Sequence, residues 1–211
     1  MIEYDNAEFE LYDLDPWIKK RSGELEEGQL ELLKEKIRLY PPIPAKDMPP
    51  SWYTEDHVLR HCWGIKWVTS RGYLMRAPID ITIDSFMMSE MAGGIMSQGY
   101  PFMDGELPRV FKLDLPWMIR SKDKKPIDFL ITAPAYHFEG NSVRIQEGII
   151  AGDKRLSYEL FKMKVEKGGG KLDDFLMDPF GEEINPFFCN VRNSLVFKEG
   201  QPIVQLIPIY K

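Results

Sequence analysis

From about His57 onward the chain is written in short segments that suit β-strands. "KWVTS", "YLMRAPIDITID", "RVFKLDLPWMIR", "DFLITA", "VRIQEGIIA", "RLSYELFKMKV", "NSLVF" and "PIVQLIPIY" are rich in β-branched or aromatic residues and are separated by Gly, Pro, Asn or Asp. Ile79, Ile81 and Ile83 alternate with Asp80, Thr82 and Asp84, a period of two that buries one face and wets the other. Little alternation of strand and helix is visible and no internal repeat occurs, so the pattern predicts a mainly β sandwich or barrel. Two stretches interrupt it: the Met- and Gly-rich "SFMMSEMAGGIMSQGYPFMDGELP" and "EKGGGKLDDFLMDPFGEEINP". Both read as long insertions, near 85–108 and 166–188.

The first 56 residues read differently, which divides the chain into 1–56 and a β domain over 57–211. "SGELEEGQLELLKEKIRL" predicts one helix, with Ser22 as N-cap, acids in the first turn and Lys34, Lys36 and Arg38 in the last. Leu30, Leu33 and Ile37 repeat at helical spacing, a narrow apolar stripe that must dock on something, although Gly28 weakens the helix. Five prolines fall between Pro41 and Pro50; each fixes φ, so this is a stiff connector, with Trp52 and Tyr53 pinning its end. Leu30, Leu33, Ile37, Trp52 and Tyr53 are thus the candidate interaction residues.

Charge is concentrated at the start. Residues 1–28 hold nine acidic groups against three basic ones, which is the whole of the chain's net charge of −6, so residues 29–211 are neutral. An acidic arm on a neutral body disfavours direct nucleic-acid binding, for which a basic stripe is expected. It suits either solvation or a basic patch on a protein partner. No apolar run approaches the roughly 18–20 residues that span a bilayer. The start "MIEYDNAEFELYDLDP" lacks a basic n-region and an apolar h-region, so no secretory leader and no membrane partner are expected. With two cysteines, Cys62 and Cys189, there is no disulfide framework, and a reducing compartment is the default.

Patterns that carry chemistry are sparse. His57 and His61 stand four apart with Cys62 adjoining, a spacing that on a helix brings ligands to one face. The sequence supplies neither paired Cys-x-x-Cys spacing nor a Glu between the histidines, so no metal is expected. A Cys–His or Ser–His–Asp site using His137 has no local signature. Gly168, Gly169 and Gly170 are not followed by the Lys-Ser/Thr pair of a phosphate cradle, and no cofactor is expected. Met87, Met88, Met91 and Met96 are adaptable packing groups, for a core or an inter-subunit contact.

Four stretches in order resemble the motifs of trimeric dUTPases: "GYLMRAPIDITI", "ITAPAYH", "EGIIAGD" and "FKEGQPIVQLI". Together they span roughly residues 72–207, and the last is the most specific. The resemblance implies a β-clip/dUTPase-like or jelly-roll-like barrel, with the N-terminal helix and proline-rich arm added to it. It also implies an inactive cleft. Ala151 stands where the family places the aspartate that positions water, and Asp153 matches only the second acidic place. Leu74 replaces the acid of the first motif, and Ala135 and Tyr136 stand near the phosphate-binding Arg and Ser. Pro202 replaces the last motif's arginine, while Gln205 is retained. Hydrolysis of a phosphoanhydride needs a base for water and stabilisation of the phosphates.

The combination "MPPSWY", "PWMIRS", "GIIAGD", "NPFF" and "GQPIVQLIPIYK" is similar to an uncharacterised family of marine tailed phages and bacteria, which implies a phage or bacterial source. The β-clip fold is shared with a trimeric head-decoration protein of lambdoid phages, an analogy at the level of fold.

The expectation is therefore a non-enzymatic assembly protein, a phage virion component such as a capsid decoration or connector subunit. It would be a homo-oligomer, a trimer by resemblance, or bind capsid proteins, in the virion or the host cytoplasm. One alternative is a protein that binds or hydrolyses a nucleotide or another small molecule through Asp80, His137, Asp153 and Gln205. Another is a phage regulatory protein that binds a host factor through the acidic arm.

Overall fold

The structure, a computed structural model, describes residues 1–11, 13–14, 27–48, 63–83, 89–92, 95–100, 110–113, 115–122, 127–134, 144–145, 147–150, 152, 182–184, 186–189 and 195–209. In chain order the elements are β1 (Ile2–Glu3), β2 (Ala7–Leu11), α1 (Glu27–Leu39), β3 (Ile43–Pro44), α2 (Trp63–Thr69), β4 (Tyr73–Arg76) and β5 (Ile81–Ile83). They continue with β6 (Ser89–Ala92), β7 (Ile95–Tyr100), β8 (Val110–Leu113), β9 (Trp117–Ser121), β10 (Asp128–Thr132), β11 (Arg144–Ile145) and β12 (Gly148–Ile150). β13 (Glu182–Glu183), β14 (Phe187–Cys189), β15 (Leu195–Phe197) and β16 (Pro202–Ile209) complete the order. The protein is mainly β. Its antiparallel sheets run β1-β2-β9-β13, β12-β10-β16-β4-β3, β11-β14-β8-β7-β6 and β15-β5, and among the described residues none closes into a barrel.

β16 is the central strand of the second sheet, paired with β10 on one side and β4 on the other. Five successive residues from Pro202 to Leu206 are buried, as befits a strand covered on both faces. Its register against β4 shifts between Pro202 and Val204, so Ile203 is an extra residue of the kind that bends a strand. Gly72, immediately before β4, has φ +70°, where a Cβ would lie 1.9 Å from the Leu206 carbonyl oxygen; only glycine lets the two main chains approach so closely.

One apolar core joins all four sheets. Phe9 enters it from the first, Phe129 and Val204 from the second, Phe188 from the third and Phe197 from the fourth. Phe188 and Phe197 meet at 5.4 Å between ring centroids. Each such buried side chain contributes about 1.5–3 kcal/mol over leaving it exposed. Among the described residues no helix is long and apolar enough to cross a membrane.

Several expectations change. The predicted arm is built into the body: β2 pairs with β9 along its whole length, and Ala7 and Phe9 are fully buried. Its acids are partly neutralised, Glu8 by the cross-strand Arg120 and Glu3 by Lys122. The helix forms over Glu27–Leu39, while its expected start and the Ser22 cap lie outside the described residues; Leu33 and Ile37 are buried in this chain's own core with Leu30 packed against it, so the stripe is not free to clasp a neighbour. The proline-rich connector begins as an edge strand, β3, which pairs with β4, and prolines are tolerated on edges. "KWVTS" falls in a helix, α2, rather than a strand. "YLMRAPIDITID" breaks at Ala77-Pro78 and "RVFKLDLPWMIR" before Trp117, each into two strands in different sheets. The Met-rich insertion holds a hairpin: β6 pairs with β7, Met91 opposite Met96, and β7 with β8. "RLSYELFKMKV" and residues 166–181 lie outside the described residues, while β13 and β14 occupy the end of the second insertion.

Candidate functional site

Of the polar residues singled out by sequence, Asp80 and Gln205 are described, while His137 and Asp153 lie outside the described residues, as do Trp52, Tyr53, His57, His61 and Cys62. Asp80 is exposed and tied to the turn before β16. Its carboxylate accepts from Lys198 Nζ at 2.8 Å and from the Glu199 backbone N–H at 2.9 Å. Lys198 first, and then that backbone N–H, holds the carboxyl below its ordinary value. Glu199 in turn accepts from Lys36 Nζ at 2.6 Å and Tyr40 Oη at 2.7 Å, which lower its pKa in the same way. The turn is thereby clamped between the end of α1 and the start of β5.

Gln205 is 1% exposed. Its amide nitrogen donates to the carbonyls of Val68 at 2.9 Å and Arg71 at 2.7 Å, at the C-terminal end of α2, where carbonyls lack intrahelical partners. Gln205 therefore anchors α2 to the central strand. Asp80 and Gln205 engage different parts of the chain and do not form a joint ligand site.

What the fold assembles instead is a cleft of about 760 Å³. The β1–β2 connection supplies Tyr4, Asp5 and Asn6, the turn after β3 supplies Lys46 and Asp47, and Ser70 and Tyr73 come from the entry to β4. Glu3 and Lys122 pair at 2.7 Å along its wall. Tyr4 and Tyr73 stack at 5.1 Å, the first donating to the Pro42 carbonyl and the second to Asn6 Oδ1. Burial, with Asp47 second, pushes the Tyr4 phenol above its ordinary value, which keeps it a neutral donor. The volume suits a small molecule, and the mixed charges suit a polar one. Among the described residues its lining contains no His or Cys, and no cluster of His, Cys, Asp and Glu is arranged to hold a metal.

A second feature lies on α2. Trp63 is 83% exposed and Trp67 54% exposed, four residues apart and so on one face of the helix. Lys66 Nζ lies 5.8 Å from the Trp63 ring centroid and Arg71 Cζ 3.8 Å from that of Trp67, the range of cation–π attraction. No acidic residue occurs from Trp63 to Arg71. The signal for this face was present as Trp-x-x-Lys-Trp at helical spacing, and a strand reading of "KWVTS" hides it. The cleft leaves no comparable signal, because its lining is gathered from separate parts of the chain. No family model, curated protein or solved structure matches the chain.

Proposed function

We propose that this chain is a non-enzymatic assembly protein that works through protein–protein contact, as a structural component of a phage virion such as a capsid decoration or connector subunit. The observation that carries the reading is the Trp63–Trp67 face. Two large apolar rings held in water by a short, anchored helix are costly to leave uncovered, and Trp and Arg dominate the energetic centres of protein interfaces. The polar residues Asp80 and Gln205 act as internal staples, which favours a scaffold over a reaction centre. The finer fold, a β-clip or jelly-roll-like body, is supported by one relationship. β4, β10, β12 and β16, which carry part of each of the four motif-like stretches, belong to one sheet, while β5 at the end of the first stretch pairs with β15 in another.

The test is the size of the native species. In an extract of cells that make the protein, the chain should travel with an assembly far larger than 24.6 kDa. A version with Trp63→Asp and Trp67→Asp should travel at its own mass. Finding both versions at that mass would sink the reading.

The cleft favours a second reading, a binder of a small polar molecule or nucleotide. A thermal-shift panel decides it, since a ligand at 100 times its dissociation constant stabilises by roughly 2.7 kcal/mol. No shift across nucleotides, sugars and amino acids removes this reading.

A further inference from the structure

The outward face of α1 is the complement of the α2 face. Gly28, Leu32, Glu35 and Leu39 fall on one line of the helix, opposite the buried Leu33 and Ile37. Leu32 is 54% exposed and Leu39 58% exposed, two turns apart, with the exposed Glu35 between them; Glu31 and Lys36 flank the line on either side, the first paired with Lys34 and the second with Glu199, and Arg38 lies off it. An amphipathic helix ordinarily shows water a polar face. This one shows two leucines on the side turned away from the core. Among the described residues the chain thus carries two exposed apolar ridges with a charged side chain of opposite sign at the centre of each: Leu32–Glu35–Leu39 on α1, and Trp63–Lys66–Trp67 on α2, the second extended by Arg71 beyond the helix end.

We infer that the occupant of the Trp63–Trp67 face is the outer ridge of α1 from a second copy of this chain, with Lys66 of one copy facing Glu35 of the next. The inference rests on the assembly reading above and names its partner. Because the two ridges are different surfaces, the contact is head-to-tail: each copy offers one ridge and receives the other, so the product is a ring or a filament and not only a dimer. The aromatic rings and leucines supply the apolar centre and the Lys–Glu pair sets the register, with like charges penalising wrong pairings.

Sedimentation equilibrium of the pure full-length chain tests this. Self-association is expected, and Lys66→Glu or Glu35→Lys alone should weaken it by at least about tenfold in dissociation constant. The double variant carrying both changes should recover most of that loss, because the pair is re-formed with its charges exchanged. Trp67→Ala and Leu39→Ala should each weaken association by a similar factor, and unchanged urea midpoints for all five variants show that the fold is intact, these positions being exposed.

A monomeric chain, or association that the charge changes leave untouched, overturns the inference. The assembly reading is separable from it. If the pure chain is monomeric while the native extract holds a large assembly that needs Trp63 and Trp67, the second copy is the wrong partner and the assembly reading survives. If both preparations are monomeric, both fall.

Discussion

The side-chain amide of Gln205 donates to the main-chain carbonyl of Arg71 at 2.7 Å, so the middle of the last strand holds down the end of the helix that presents Trp63 and Trp67. A glutamine that looks like a retained site residue is thereby the support of an interaction surface.

Gln205→Leu leaves the Val68 and Arg71 carbonyls without this donor and should cost about 1–3 kcal/mol, read as a lower urea midpoint at unchanged slope. Gln205→Glu should cost more at neutral pH, because a carboxylate faces two carbonyls with no proton to give. Part of that loss should return on mild acidification, as the protonated acid donates again. If Gln205 served a ligand instead, stability would be unchanged and only ligand shifts would be lost.

Gly72 and Gly200 both have positive φ, +70° and +79°, but their surroundings differ. At Gly200 the nearest atoms to a Cβ belong to the Tyr40 ring, with Cε1 at 3.1 Å, so Gly200→Ala should cost about 1–2 kcal/mol, the usual left-handed penalty. At Gly72 the obstacle is the Leu206 backbone itself, so Gly72→Ala must push β4 away from β16. A loss above about 4 kcal/mol is expected. Equal urea midpoints for the two variants would contradict this assignment.

Much of the strand plan was legible because period-two alternation survives burial of one face, as in Ile81 buried beside Thr82 exposed. β16 was legible for the opposite reason, its continuous apolar run. The α1 stripe was legible as period 3.6. What failed was decided by tertiary contact. Val68 and Thr69 favour a strand locally, yet Gln205 holds the carbonyl of Val68 at the end of a helix. "AEFEL" alternates as well as any strand, but its glutamates read as surface charge, and Arg120, the partner of Glu8, is more than a hundred residues away. The cleft was illegible for the same reason.

Stability should be flat across the neutral range and fall at both extremes. Glu3, Asp80 and Glu199 have carboxyls lowered by Lys122, Lys198 and Lys36 respectively. A lowered folded pKa means the unfolded chain binds more protons, so this stability is present above the ordinary 3.8 and 4.5. It is lost as pH falls through the lowered values. Lys36 and Lys122, raised above 10.5 by their carboxylate partners, contribute below that value and lose the contribution as pH rises through the raised one. Melting temperature against pH should show both limbs. Glu199→Gln should flatten part of the acid limb, and added salt should shrink both, since the pairs are exposed. An acid limb unchanged by Glu199→Gln and by salt would refute this origin.

The N-terminal segment offers the sharpest contrast between a charged arm and a structural strand. If residues 1–11 were a solvated tail, deleting them would leave the urea transition where it is. In the fold, deletion removes β1 and β2, strips β9 of the partner that runs from Ala7↔Ser121 to Leu11↔Trp117, and takes both Tyr4 and Phe9 away from Tyr73, with which they form a ring cluster. The truncated chain should lose its cooperative transition. Phe9→Ala, which keeps every charge, should cost about 3–5 kcal/mol, whereas Glu10→Gln, which changes the charge and keeps the strand, should stay within about 0.5 kcal/mol. The reverse ordering, with Phe9→Ala silent and Glu10→Gln harmful, would return the segment to the status of an acidic arm.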